Sequence, residues 1–497
     1  MFVPDLLSRG VTQALARACV TLDGTTLTFA DVDDRASRLA QTLIEVGVTR
    51  GDRVMLIAKN ELEFLEIQVA CQRAGASLVA VNFRLAPAEV VAIVSDCAPA
   101  VLITGPGFEK LGAGISVRIH FQLGVDGSYE ERLSRTRPLS RVHLDGDAIA
   151  QIAYTSGTTG APKGAQITNA TLFGRIASLT TGLDIDVDDV FLQTLPLFHL
   201  ASLVSFAYTI SACPVVIVRD FDPADTLWTI SMEKVTRAIM VPTIISALVE
   251  ARGSYDGDLG SLRTVYYGAS PIAPVVLDQA LSTFECEMAQ FYGMTEAGIA
   301  TLLGPADHTL GDESRLRAAG QPLPFYELMI RRPDGQPAAV GEVGEIAISG
   351  PGLMHSYRGN PDATAAALVD GYLLTGDAGY VDDEGYLFVS DRVKDMIITG
   401  GENVFCREVE AALLAHPDVA DAAVIGLADE RWGQRVHALI VETSAIDDGA
   451  LDEWCRQRIA GYKCPRSFER VEELPRNAVG KILKHVLRAD REAGSLG

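Results

Sequence analysis

The chain has 497 residues, enough for more than one domain with large buried cores. Its composition, 48% hydrophobic and 22% charged, is that of a soluble globular protein. A formal net charge of −23 excludes general binding to nucleic acid or anionic membranes, so any polyanionic ligand needs a local basic site.

The first ten residues, MFVPDLLSRG, lack a basic stretch followed by an apolar core, so no signal peptide is expected. The eight cysteines include no C-x-x-C pair, which indicates neither a disulfide framework nor a zinc cluster and fits a reducing cytoplasm. Residues 54–58 read as a buried strand, with Asn60 placed to cap a helix running to about 74. Strand 77–81, helix 87–95 and strand 101–104 follow, an alternation that predicts a parallel sheet covered by helices. Residues 105–145 carry little patterning and predict an irregular connection.

The apolar run 148–153 leads into Tyr154-Thr155-Ser156-Gly157-Thr158-Thr159-Gly160-Ala161-Pro162-Lys163-Gly164. Glycines that let the backbone approach a ligand, hydroxyl donors and one lysine are what a polyphosphate needs. The spacing is not that of a Walker A loop. The αβ pattern resumes with strand 191–194. Segment 200–218 is uncharged but holds Ser202, Ser205, Thr209, Ser211 and Pro214, so it reads as a buried helix, a break at Pro214 and strand 215–218 rather than a membrane span. A helix near 223–233 and strands 238–241 and 264–267 complete this part.

After about 320 short runs (327–331, 344–349, 386–389) alternate with Gly-, Pro- and Asp-rich turns, a small β-rich subdomain. From Asp391 a last unit is expected: a hairpin-like pair 396–399 and 403–405, helix 407–416, strands near 422–426 and 437–442, and helix 450–459.

The run YTSGTTGAPKG resembles the phosphate loop of the adenylate-forming superfamily, which comprises acyl- and aryl-CoA ligases, peptide-synthetase adenylation domains and beetle luciferases. Further matches follow in that family's order: LPLFH (195–199), YGMTE (292–296), TGD (375–377), DRVKD (391–395) and PRNAVGK (475–481). The resemblance covers essentially the whole chain. It implies an α/β fold: a large N-terminal domain of helix-covered β-sheets with the β-rich subdomain, 1–393, and a small mobile α+β C-terminal domain, 394–497, hinged at Lys394.

It also implies the chemistry, activation of a carboxylate by attack on the α-phosphorus of ATP with loss of pyrophosphate, then transfer to an acceptor. Negative charge gathers in the transition state, so the site needs fixed donors, a cation and a metal. By resemblance Thr155, Ser156, Gly157, Thr158, Thr159, Gly160 and Lys163 wrap the phosphates. Glu296 holds Mg²⁺, although a glutamate after Thr295 would also suit a helix N-terminus. Gly268, Ala269, Ser270, Tyr292 and Gly293 form the adenine slot, and Thr295 also binds the nucleotide. Asp377 takes the ribose hydroxyls and Arg392 the ribose or α-phosphate. Lys481 bridges the attacking carboxylate and the α-phosphate. His199 gates the passage between ATP and acyl pockets and is no general base, since a carboxylate nucleophile is already ionised. Thr155, Lys163, His199, Glu296 and Lys481 are thus the expected catalytic group.

No acid follows His199 to pair with a substrate ammonium, and no carrier domain follows Lys481, which argues against amino-acid activation. The stretches DMIITGGENV (395–404) and ADERWGQ (428–434) resemble CoA ligases for aromatic, phenylpropenoic and fatty acids, notably the 4-chlorobenzoate type. That resemblance implies CoA contacts at Arg84, Gly401, Trp432, Tyr462, Lys463 and Arg466, with Cys464 standing where the family has an arginine. The expected acyl pocket, His199, Leu200, Ala201, Gly268, Met294 and Ile299, has no cation for a second carboxylate. Aromatic, phenylpropenoic and medium-to-long aliphatic monocarboxylic acids remain open. The expected activity is an ATP-, Mg²⁺- and coenzyme A-dependent ligase in the cytoplasm, with no nucleic-acid partner and no integral membrane segment; a homodimer is compatible with it. A stand-alone adenylating enzyme that loads a carrier protein, and a nucleotide sensor with a decayed site, are the competing readings. The retained Lys163, Glu296, Asp377, Arg392 and Lys481 speak against the sensor.

Overall fold

The computed structural model describes residues 3–494 except 6, 8–13, 15, 125–126, 141–143, 156–161, 271, 309–314, 393–394, 400–401, 430 and 477–481. They form two compact units, Met1–Leu328 with Ile348–Leu373, and Met329–Ala347 with Leu374–Gly497.

The first unit holds two large sheets. One has seven strands in the order Ser356–Tyr357, Lys163–Thr168, Ile149–Thr155, Ser77–Ala80, Arg53–Ile57, Val101–Thr104, Ile119–Gln122. The last five run parallel and the first two antiparallel to their neighbours. The near-continuous apolar runs have a direct cause. Helices cover both faces of a parallel sheet, and Val54, Met55, Ile57, Leu78, Val79 and Leu102 are fully buried. The second sheet has nine strands, and its six central ones are parallel: Glu287–Met294, Thr264–Gly268, Arg237–Met240, Phe191–Gln193, Val215–Ile217 and Ala18–Leu22. Helix Phe29–Glu45 shows how the covering helices form. Thr28 and Asp31 make a reciprocal capping box, and Phe29, Val32, Ala36, Leu39, Ala40 and Leu43 recur on one buried face.

Two sequence expectations change, and one strand is new. Residues 105–145 contain helices Glu109–Ala113 and Ser128–Arg135 and edge strand Ile119–Gln122. Each is too short to show a period, so the pattern reads as irregular. Asn60 caps no helix. The following helix, Phe64–Ala74, starts after Glu63, while the buried Asn60 amide bonds Leu195, Leu197 and Val218. Lys163–Thr168 is a strand, paired antiparallel with Ile149–Thr155. Segment 200–218 does form helix Ser202–Ile210 and strand Val215–Ile217, separated by a turn with Ala212 at φ +62°. Among the described residues no helix is long and apolar enough to cross a membrane.

In the second unit strands Glu402–Val404, Ile397–Thr399, Gly433–Glu442 and Val419–Asp429 form a sheet, with Ser467–Arg470 parallel to Gly433–Glu442. Successive residues of Val419–Asp429 face opposite cores, as a strand's two-residue period requires. Ala422 and Val424 pack with Val409, Leu413 and Leu451 beneath helices Cys406–Leu414 and Asp448–Arg456. Ala423, Ile425 and Leu427 pack with Leu439, Leu474 and Leu487, the last on helix Lys484–Gly494.

Candidate active site

Loops that follow parallel strands gather at the carboxyl edge of a sheet, where open α/β sheets bind ligands. In the nine-stranded sheet that edge carries the loop after Phe191–Gln193 with His199, Leu200 and Ala201, the end of Thr264–Gly268, and Tyr292–Met294 at the end of Glu287–Met294. Ile299 pairs with Gly293 at the same edge. The topology therefore brings all six expected acyl-pocket residues to one edge. Two glycines there are sterically required. A Cβ on Gly268 would lie 2.7 Å from the Phe291 carbonyl oxygen, and one on Gly293 2.2 Å from the Gly298 oxygen. Ala269 sits at φ +69°, a left-handed conformation that costs an L-residue free energy and tends to occur at ligand sites.

In the seven-stranded sheet the corresponding edge carries Arg84 and the end of Ile149–Thr155. Thr155 and Lys163 are direct cross-strand partners that flank the phosphate loop. Ser156, Gly157, Thr158, Thr159 and Gly160 lie outside the described residues. Gly164 faces the Tyr154 ring, where a Cβ would be 3.0 Å from Cζ. The Tyr154 hydroxyl donates to Asp96, and Arg358 binds both the Asp96 and Gly164 backbones, Nε to O at 3.1 Å and N to O at 2.8 Å.

Glu296 is buried, and it stands in the turn between strands Glu287–Met294 and Gly298–Leu303, not at a helix N-terminus. Its Oε1 accepts from the Tyr357 hydroxyl at 2.7 Å. The Tyr357 ring lies under the Lys163 ammonium, 5.3 Å from its centroid, a cation–π distance. Burial, and then the Glu296 charge, push the Tyr357 pKa up, which keeps the hydroxyl a donor. Behind the turn the buried Arg175 donates to the carbonyls of Gly352 at 2.7 Å and Thr295 at 2.9 Å. Burial lowers its pKa to about 10. Sequence reading missed Tyr357 and Arg175, because neither sits in a spaced motif.

The His199 ring lies tilted against Phe198 with centroids 4.2 Å apart; Phe198 meets Phe83 edge-on at 5.6 Å, and Arg84 lies over Phe83 at 5.3 Å. Burial, and then the Arg84 charge, lower the His199 pKa to about 4, so the ring is neutral at working pH. Asn60 fixes the preceding loop. The exposed Arg84 has no carboxylate partner among the described residues, and its own N–H binds Asn82 Oδ1 at 3.0 Å. A small apolar cavity bordered by Phe64, Leu65, Leu197, Phe206 and Ile217 lies beside helix Ser202–Ile210; none of the six expected acyl-pocket residues lines it.

In the second unit Asp377 is buried and stands directly across from Arg392 on adjacent antiparallel strands. Gly376, at φ +70°, donates to Glu345, and the Asp377 N–H binds Thr375 Oγ1 at 3.0 Å. Trp432 sits at the tip of the hairpin Val419–Asp429/Gly433–Glu442, where Asp429 Oδ1 accepts from its N–H and from that of Arg431. The Arg431 and Arg466 guanidiniums lie over the Trp432 ring at 4.8 and 4.2 Å. Neither arginine has a carboxylate partner among the described residues. Thr399, which precedes Gly400 in sequence, pairs with Gly433. Lys463 lies 5.7 Å from the exposed Tyr462 ring and pairs with Glu408 at 2.7 Å. Cys464 is buried in the core, and so is Cys406, whose thiol donates to the Asp395 carbonyl and has its pKa pushed up by burial. Gly401, Lys394, Lys481 and the Arg392 side chain lie outside the described residues.

Residues 8–358 match the AMP-binding enzyme family, and residues 408–481 match the AMP-binding enzyme C-terminal domain. The chain is an AMP-binding enzyme. It is 37% identical over 482 residues to the fatty acid–[acyl-carrier-protein] ligase ScoC of Streptomyces coeruleorubidus, covering 94% of this chain and 92% of that one. It is 38% identical over 474 residues to the feruloyl-CoA synthase of an Amycolatopsis species, covering 94% of each. Among solved structures it resembles o-succinylbenzoate CoA synthetase of Bacillus subtilis with its acyl-adenylate bound. That match has TM-score 0.87 and 33% identity, and covers 97% of this chain and 98% of the other. The same synthetase in complex with ATP and magnesium ion matches with TM-score 0.86 and 32% identity.

Magnesium is implied for an AMP-binding enzyme, and the residues fit it. Magnesium takes one or two carboxylates and completes its shell with water and phosphate oxygens. Glu296 offers one carboxylate, and among the described residues no group of three or more His, Cys, Asp or Glu side chains could hold a metal unaided. Such a donor set suits a metal that arrives with its nucleotide.

Proposed function

We propose that this AMP-binding enzyme is an ATP-dependent carboxylate–CoA ligase, which forms an acyl-adenylate and pyrophosphate and then an acyl-CoA and AMP. In the first step the phosphate loop and Lys163 hold the β- and γ-phosphates, and Asp377 takes the ribose diol with its two acceptor oxygens. Gly268, Ala269, Ser270, Tyr292 and Gly293 accept the adenine. Lys481, assigned from its motif, aligns the carboxylate oxygen with the α-phosphorus. Glu296 would hold magnesium, which when bound would supply charge neutralisation for the leaving pyrophosphate. The neutral His199 orients and gates and moves no proton. In the second step the CoA thiol attacks the acyl carbonyl and AMP leaves. Lys394 is the proposed hinge between 1–393 and 394–497 that exchanges the two steps. The cytoplasm, which supplies ATP and CoA and would keep eight unpaired cysteines reduced, is the proposed compartment.

The observation that carries CoA as acceptor is the Trp432 ring beneath two guanidiniums that have no carboxylate partner among the described residues, a surface for a nucleotide base and its phosphates in a chain of net charge −23. The neutral acyl-pocket residues support an aromatic, phenylpropenoic or medium-to-long aliphatic monocarboxylic acid, in keeping with feruloyl and fatty-acid relatives. The likeness to a carrier-protein ligase favours a second reading, transfer to a carrier-protein thiol. The deciding experiment incubates the protein with ATP, Mg²⁺, CoA and a panel of carboxylic acids and scores acyl-CoA and AMP by mass. Pyrophosphate exchange without any acyl-CoA, together with loading of a carrier protein, would overturn the CoA assignment.

A further inference from the structure

We propose that Tyr357 is a positioning residue for MgATP, and that it holds the phosphate-loop lysine and the metal-binding glutamate in fixed relation. This inference rests on the metal role given to Glu296 above. One aromatic side chain reaches both groups by different means. Its hydroxyl donates to Glu296 Oε1 at 2.7 Å, and its ring face lies 5.3 Å below the Lys163 ammonium. The backbone fixes it there. Tyr357 pairs with Ala165, two residues after Lys163, and Arg358 N–H closes the pairing on the Gly164 carbonyl at 2.8 Å. The Glu296 backbone is held as well, its carbonyl accepting from Met354 N–H at 2.6 Å.

The chemistry follows from this placement. A buried carboxylate can rotate about its last torsion and present either oxygen. With Oε1 held by the hydroxyl, Oε2 is the oxygen left to face a metal or its water. The ring face favours an ammonium poised above it over one paired to a carboxylate, so Lys163 remains available to phosphate. The hydroxyl therefore serves the metal, and the ring serves the lysine.

Equilibrium binding of ATP to the full chain, by calorimetry with excess Mg²⁺ and again with EDTA, separates these parts. Tyr357→Phe should weaken MgATP binding roughly ten-fold, the scale of a lost hydrogen bond to a charged group, and leave metal-free ATP binding unchanged. Tyr357→Leu should lose affinity in EDTA as well, because the perch for Lys163 is gone. Glu296→Gln is the reference for losing the metal effect. Unaltered MgATP binding in Tyr357→Phe, with Glu296→Gln impaired, overturns the role of Tyr357 alone. An equal loss with and without magnesium in Tyr357→Phe also overturns it, since the hydroxyl would then be merely structural. A magnesium effect intact in both variants removes the metal role of Glu296 and this inference with it.

Discussion

Trp432 lies under Arg431 and Arg466, neither of which has a carboxylate partner among the described residues, and it is the residue on which acceptor choice is most open to test. Trp432→Ala should raise the KM for CoA roughly ten-fold through the lost ring contacts and leave the KM for ATP and acid near wild type. Steady-state kinetics with each substrate varied decide this, and an unchanged CoA dependence would withdraw the site. His199 makes a different statement. Its folded pKa is lowered from 6.5 to about 4 by burial and then by Arg84. Between those values the unfolded chain binds a proton that the folded chain does not, so this group's contribution to stability is present above pH 6.5 and is lost as pH falls toward 4. His199→Phe should flatten that acid limb in a plot of Tm against pH. A curve parallel to wild type would show that the imidazole is not held neutral.

Among the elements, the hairpin Glu287–Met294/Gly298–Leu303 positions Glu296, the proposed metal ligand. The strands approach so closely at Gly293 that any side chain meets the Gly298 carbonyl. Gly293→Ala should therefore lower stability by about 1–3 kcal/mol, the range for overpacking, and displace Glu296 enough to weaken MgATP binding. Denaturant unfolding and nucleotide titration measure the two effects, and a wild-type result in both would mean the turn is more pliant than its geometry indicates. The same hairpin shows what a motif encodes. YGMTE identifies Glu296, yet a Thr-Glu pair suits a helix start as well as a turn. Pairing with the strand after it decides between them. The Asn60 amide is a parallel case. An asparagine between strand and helix looks like a cap, and only the arrival of the 195–197 loop beside it supplies better partners.

For the whole molecule, one site must shield a hydrolysable adenylate from water and later admit a thiol, which a fixed cover does poorly. The proposed exchange about Lys394 makes a kinetic prediction. Lys394→Pro fixes φ near −65° and removes a backbone donor. It should slow thioester formation from preformed acyl-adenylate at least roughly ten-fold more than it slows adenylation, if adenylation uses the conformation that proline allows. Stopped-flow or quench measurement of each half-reaction is the check, and wild-type rates in both would defeat the hinge.

By itself the sequence determined the alternation of buried strands and helices, because a parallel sheet covered on both faces demands continuous apolar runs. Its motifs, by their family resemblance, also marked the residues proposed for phosphate, ribose and metal. It did not show the two short helices and edge strand within 105–145, whose patterns are shorter than one clear period. Nor could it show partners far apart in the chain: Tyr357 and Glu296 are 61 residues apart, Arg175 and Thr295 are 120, and Asn60 and Leu195 are 135. Local spacing fixes which groups share one loop or one face. Which group meets which across loops depends on strand order and register, and those are settled only when the hydrophobic faces of the two sheets find their packing.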